Sequence, residues 1–178
     1  MTCSHGLWKR GFDVTESPDT LGISVTLLAA DESREPYVPI LLLADEPGPL
    51  REYLDTSDVY VLRDADGTAL GATVVHPAKQ DEPAMELRAV AIALEHHNRG
   101  LGQVMVRGVL DDLAQRGVRR VVVGTSNAGI GQIAFYQKAG FRLWRIEQDY
   151  FTVEKGYDPD ERENGLPHRD MVWFERNL

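Results

Sequence analysis

The segment His97-Asn98-Arg99-Gly100-Leu101-Gly102, HNRGLG, sets two glycines and an arginine between the apolar runs LRAVAIAL and QVMVRGVLDDLA. Glycine leaves the backbone bare, and the opening turn of a helix carries unpaired N–H donors and partial positive charge. Such a joint can bind an anion, a phosphate above all. The six residues by themselves fit equally well a tight strand-to-helix turn that needs glycine for its own geometry. They form neither the G-x-x-x-x-G-K-[ST] loop of nucleoside triphosphate sites nor the G-x-G-x-x-G of dinucleotide folds.

Other reactive side chains narrow the chemistry. His76, His96 and His97 invite a metal, but no carboxylate or cysteine stands at ligand spacing on a helix, so none is expected. Cys3 is the single cysteine. It excludes a disulfide framework, is too isolated for a nucleophile, and fits a reducing cytoplasm. Trp8, Trp144 and Trp173 read as core or pocket wall.

The elements that must position the joint follow from periodicity. Between Arg99 and Arg116 the residues Leu101, Met105, Val109 and Leu113 recur four apart, with Val104, Val106 and Leu110 filling the stripe. The pattern predicts an amphipathic helix closed by Gly117. AMELRAVAIAL before it and RRVVVGT after it predict strands, the second buried on both faces. IGQIAFYQKA predicts a short helix stopped by Gly140, FRLWRIEQDYF a strand, and the polar tail ends in a strand-like MVWFE. Upstream, LGISVTLLAA predicts a strand. REPYVPILLLADEPGPLREYLDTS predicts two short helices broken by prolines, and DVYVLRDADGTALGATVVHP a hairpin about DADGT. Residues 1–19 show no sustained period and are expected to form a loose arm. The order predicts a mixed α/β sheet with a βαβ unit in its second half, and a ligand off the carboxyl ends of its strands.

A length of 178 residues with 43% hydrophobic composition predicts a single domain, 1–178. Its 19 basic and 28 acidic residues give a net charge of -9. That charge argues against nucleic acid and anionic membrane as partners and favours cationic ones, amines among them. The longest apolar stretches fall short of the roughly 20 residues that cross a bilayer.

A second segment, FYQKAGFR at 135–142, lies on the next predicted helix and its exit turn. Together the two segments resemble the GNAT superfamily of acetyl-CoA-dependent N-acetyltransferases. The motif Q/R-x-x-G-x-G/A is matched from His97 to Gly102, with His97 where the family carries Gln or Arg, and Y-x-K-x-G-F is matched by Tyr136, Lys138, Gly140 and Phe141.

The resemblance implies an α/β (α+β) fold: a mixed, mostly antiparallel central sheet with helices on both faces, splayed between two parallel strands at the CoA site. It implies that His97, Asn98, Arg99, Gly100, Leu101, Gly102 and Gln103 hold the pyrophosphate. The backbone of Val90, Ala91 and Ile92 would pair with the pantetheine arm. Ser126, Asn127 and Gln132, with Phe135, Tyr136 and Lys138 on the following helix, would complete the cofactor site. Tyr136 is implied as the acid for the departing thiolate, and Glu86 as the base or water holder. Each has a plainer reading: Tyr136 as core, Glu86 as a surface carboxylate paired with Arg88, Asn127 as a helix cap, Arg99 as a solvated charge.

The implied activity is direct acetyl transfer from acetyl-CoA to a primary amine of a small molecule or protein, without an acyl-enzyme. The second reading is a non-catalytic acyl-CoA sensor, which His97 favours and Tyr136 with Glu86 disfavour. The acceptor pocket is expected around residues 50–55 and 150–170, where DPDEREN is either a cation site or a solvated loop. Exposed strand edges and the MVWFE ending would permit a homodimer.

Overall fold

The computed structural model describes residues 22–78 and 83–178, so the expected arm, with Cys3 and Trp8, lies outside the described residues. The elements are β1 (Ser24–Leu27), α1 (Val38–Leu41), α2 (Pro47–Tyr53), β2 (Asp58–Arg63), β3 (Ala69–Pro77) and β4 (Met85–Ile92). They continue with α3 (Leu101–Gln115), β5 (Arg120–Ser126), α4 (Ile130–Lys138), β6 (Arg142–Glu147), β7 (Arg162–Glu163), β8 (Leu166–Pro167) and β9 (Met171–Asn177). Seven strands form one sheet in the order β1-β2-β3-β4-β5-β9-β6, and β7 pairs with β8 apart from it. Only β4 and β5 run parallel, joined by α3; every other neighbouring pair is antiparallel.

Alternation along β2 assigns the two faces. Tyr60 and Leu62 pack with α3 and α4, while Val59 and Val61 pack with α1 and α2. The helices therefore cover both faces. The stripe of α3 buries Leu101, Met105, Val106, Val109, Leu110 and Leu113, each stabilising the fold by roughly 1.5–3 kcal/mol relative to exposure. The far end of α3 is tied to β2, where the Tyr60 hydroxyl donates to Asp112 at 2.6 Å and Arg116 reaches Asp58 at 2.7 Å. Gly117, with φ 82°, ends the helix as predicted. Among the described residues, no helix is long and apolar enough to cross a membrane.

Two expectations are corrected. MVWFE is not an edge: β9 lies between β5 and β6, because the chain returns antiparallel and pairs over the whole length of β5. The edges are β1 and β6, and β6 exposes Leu143 and Ile146. The strand expected over FRLWRIEQDYF stops at Glu147, where residues 148–149 turn and Asp149 takes the left-handed φ of 51°.

Candidate active site

Between β4 and α3 the chain makes a single 3-10 turn at Leu94–His96 and then two left-handed residues, Asn98 (φ 60°) and Gly100 (φ 76°). Asparagine and glycine tolerate this conformation, which explains both residue types. Among the described residues, the turn leaves the N–H groups of Asn98, Arg99, Gly100, Leu101 and Gly102 without partners. A Cβ on Gly100 would meet nothing within 4 Å, so the joint faces open space. Gly102 differs: a Cβ there would stand 3.0 Å from Phe135 Cε2, and the Gln103 side chain donates to the Phe135 carbonyl at 3.1 Å. One glycine shapes the turn and the other seats α4.

Asn98, Gly100, Leu101 and Gly102 border a cleft of about 340 Å³ that also takes in Val90, Ile92, His97, Gln132 and Tyr136. The His97 imidazole, exposed at the edge of the cleft, places Nε2 2.7 Å from the Ile92 carbonyl and so braces the loop to the end of β4. Arg99 turns to His96, 3.1 Å away.

Next to this cleft the sheet opens. β4 and β5 are in register at Met85, Glu86 and Leu87 with Val121, Val122 and Val123, and at no later residue. β5 continues to Ser126 with β9 as partner, so beyond Leu87 the β5-facing backbone groups of β4 have no ladder partner. A bulge contributes to the departure: Val74 opposes Ala89 and Val75 opposes Leu87, leaving Arg88 as the extra residue on β4. Bulges redirect side chains and end pairing. The gap is a cavity of about 450 Å³ bordered by Arg88, Ala89 and Val90 on one strand and Gly124, Thr125 and Ser126 on the other.

Tyr136 and Glu86 meet this gap from opposite faces. Tyr136, 7% exposed, packs with α3 and is ringed by Phe135, Phe141 and Phe174 at centroid distances of 5.1, 6.0 and 5.9 Å. It borders both the cleft and the gap, and its hydroxyl has no partner among the described residues. Burial pushes its phenol well above the ordinary tyrosine range, so it stays protonated. Glu86, 5% exposed, is no surface carboxylate, although its expected pairing with Arg88 is present at 3.4 Å. Its other carboxylate oxygen lies 3.8 Å from His76 Nε2.

Arg88 holds the wall around Glu86. It donates to the Tyr150 hydroxyl at 3.1 Å, lies 3.9 Å from Asp45, and stacks 5.2 Å over the Tyr53 ring. The Tyr53 hydroxyl donates to Asp45 at 2.9 Å, with Tyr157 at 3.5 Å. Burial, reinforced by the Asp45 charge, pushes the Tyr53 and Tyr157 phenols upward, so both remain donors. Tyr53 and Tyr150 fall in the segments expected to form the acceptor pocket; Asp45 carried no local signal. On the far side of Glu86 is a larger cavity of about 860 Å³, with Tyr53, Tyr150, Trp144 and Trp173 in its wall.

The remaining expected residues divide. Ser126 and Gln132 border the gap. Asn127 neither caps α4, whose N-cap is Gly129, nor faces the cleft. Its amide is engaged by the 167–170 loop, accepting from the Arg169 and Asp170 N–H groups at 2.9 Å each and donating to the Pro167 carbonyl at 3.2 Å. Ala91 is buried, and Lys138 is exposed outside the cleft.

Known proteins share this fold. The profile of the acetyltransferase (GNAT) family matches residues 27–141. The uncharacterized N-acetyltransferase YvbK of Bacillus subtilis is 32% identical over 143 residues, covering 80% of this chain and 89% of that protein. A GNAT family acetyltransferase from Elizabethkingia anophelis, solved with acetyl-CoA bound, superposes with a TM-score of 0.77 at 26% identity, covering 88% of this chain and 99% of that one. A Bacillus subtilis acetyltransferase in complex with CoA gives 0.76 at 28% identity, with the same coverages. With its splayed parallel pair and glycine joint, the chain belongs to the acetyltransferase (GNAT) family.

Proposed function

We propose that this chain transfers the acetyl group of acetyl-CoA directly to a primary amine, with Tyr136 as acid and Glu86 as base. The observation that carries this reading is the gap between β4 and β5, bordered by Tyr136 from one face of the sheet and Glu86 from the other. Acetyl-CoA fits the residues present: the unpartnered N–H groups from Asn98 to Gly102 suit a diphosphate, and Gly100 presents no Cβ to obstruct it. When bound, acetyl-CoA supplies the acetyl group as a thioester with a thiolate leaving group.

The chain's own groups do the rest. Amides from Asn98 to Gly102 hold the phosphates, with Gln103 holding α4 in place. The β5-facing side of the Val90, Ala91 and Ile92 backbone receives the amide-bearing arm, with the Ile92 carbonyl already held by His97, and Ser126 and Gln132 line its path. Glu86 removes a proton from the acceptor ammonium, which has a pKa near ~10.4 when lysine-like and is no nucleophile until deprotonated. Tyr136, kept neutral by burial, donates its hydroxyl proton toward the leaving sulfur.

One observation favours a second reading, an acyl-CoA sensor without turnover. His97 occupies the Ile92 carbonyl at the end of the strand proposed to receive the arm. Thiol release from acetyl-CoA over a panel of primary amines separates the two. Sustained release that is lost in Glu86→Gln and in Tyr136→Phe supports the enzyme; binding of acetyl-CoA with no release for any amine overturns it in favour of the sensor.

A further inference from the structure

A base buried as deeply as Glu86 must pass on each proton it takes before it can act again. Among the described residues, two charged or titratable groups lie within 4 Å of its carboxylate, Arg88 and His76. A guanidinium has no lone pair with which to accept a proton. His76 does.

His76 and Glu86 are direct cross-strand partners on β3 and β4. The Nδ1 of His76 lies 2.8 Å from the Pro77 carbonyl, which can only accept, so Nδ1 carries the hydrogen of the neutral ring. The lone pair is then on Nε2, the atom that faces Glu86 Oε2 across 3.8 Å. The ring is held in this pose by Tyr53, stacked at 6.0 Å with an interplanar angle of 25°. Glu86 borders both the gap it shares with Tyr136 and the larger cavity, whereas His76 borders only the larger one. The carboxylate therefore spans the gap and the larger cavity, and the imidazole stands beside it on the larger-cavity side.

We propose that His76 is the proton exit of this site. The inference rests on the reading of Glu86 as base. An N–H bond of the acceptor ammonium breaks as an O–H bond forms on Glu86. That O–H bond then breaks as Nε2 gains the proton, giving an imidazolium ion. The imidazolium releases the Nε2 proton to water in the larger cavity and returns to the neutral ring with its hydrogen on Nδ1. The closing of 3.8 Å to hydrogen-bond distance is a movement of about 1 Å, within the tightening that unliganded sites show on binding. His76 acts through Glu86 and not on the substrate.

The test compares wild type, Glu86→Gln, His76→Ala, His76→Asn and the Glu86→Gln/His76→Asn pair, using an amine that gives thiol release. Asparagine retains an N–H for the Pro77 carbonyl and removes the base at Nε2, so His76→Asn preserves the local structure if alanine does not. Expected are an unchanged acetyl-CoA Kd by calorimetry, an amine KM within about twofold, and kcat lowered by about tenfold or more in both His76 variants. Added imidazole restores His76→Ala, and His76→Asn costs nothing further on top of Glu86→Gln. Turnover of His76→Asn close to wild type overturns the exit and leaves the enzyme reading standing. A loss that imidazole does not restore and that adds in full to that of Glu86→Gln also overturns it. Unchanged turnover in Glu86→Gln removes the base itself, and the exit with it.

Discussion

Phe135 lies over Gly102 so closely that a Cβ on the glycine would meet the ring at 3.0 Å, whereas Gly100, two residues earlier, faces open space. The glycines are therefore sensitive for different reasons. Gly100→Ala places a side chain on a left-handed residue and is expected to cost about 1–2 kcal/mol in thermal unfolding, with Gly100→Asn milder. Gly102→Val is expected to drive the Phe135 ring into the cleft and to weaken acetyl-CoA binding by about tenfold or more, as overpacking of 1–3 kcal/mol implies. Calorimetric titration with acetyl-CoA distinguishes the two.

Tyr136→Phe removes a hydroxyl that no group among the described residues engages. Thermal stability should hold within about 0.5 kcal/mol, because no hydrogen bond is broken. Turnover should fall by about a hundredfold or more while acetyl-CoA still binds.

Alkaline stability follows from the buried phenols. Burial pushes Tyr53, Tyr60, Tyr136 and Tyr157 above the ordinary range. Their contribution is fully present below the unfolded value, about 10, and is lost as pH rises from there toward the folded values. Denaturant midpoints should decline above that pH, and Tyr136→Phe should lessen the decline. The tyrosinate signal of these four phenols should appear together with unfolding.

Asn127→Ala breaks three hydrogen bonds to the 167–170 loop, at an expected cost of about 1–3 kcal/mol. Its acetyl-CoA Kd should remain within about twofold of wild type, since the amide has no place in the cleft. A large loss of affinity at unchanged stability would return Asn127 to the cofactor site.

Arg88→Lys keeps the charge but cannot span Glu86, Tyr150 and Asp45 with one planar group. Steady-state kinetics should show the amine KM raised by about fivefold or more, a loss of roughly 1 kcal/mol in acceptor binding, with the acetyl-CoA KM unchanged.

Local chemistry explains what the sequence revealed and what it did not. The DADGT hairpin, the four-residue stripe of α3 and the glycine stops at Gly117 and Gly140 depend on residues close in the chain, and all are present. The place of β9 depends on pairing with β5 some fifty residues earlier, which no period in MVWFE encodes. The same holds for the wall around Glu86. Arg88 meets Tyr150 from 62 residues away, and Asp45 comes from a proline-broken segment with no face to predict. Asn127 has a different reason: a polar side chain expected to face a ligand was closer to backbone groups of its own chain, and bonded them.

The early parting of β4 from β5 makes the sheet two leaves on a short spine, β1 to β4 on one side and β5, β9 and β6 on the other. A molecule that hydrogen-bonds along the slot continues the missing rungs and stitches the leaves together. On the proposed reading, occupancy of the slot and stiffening of the sheet become a single event.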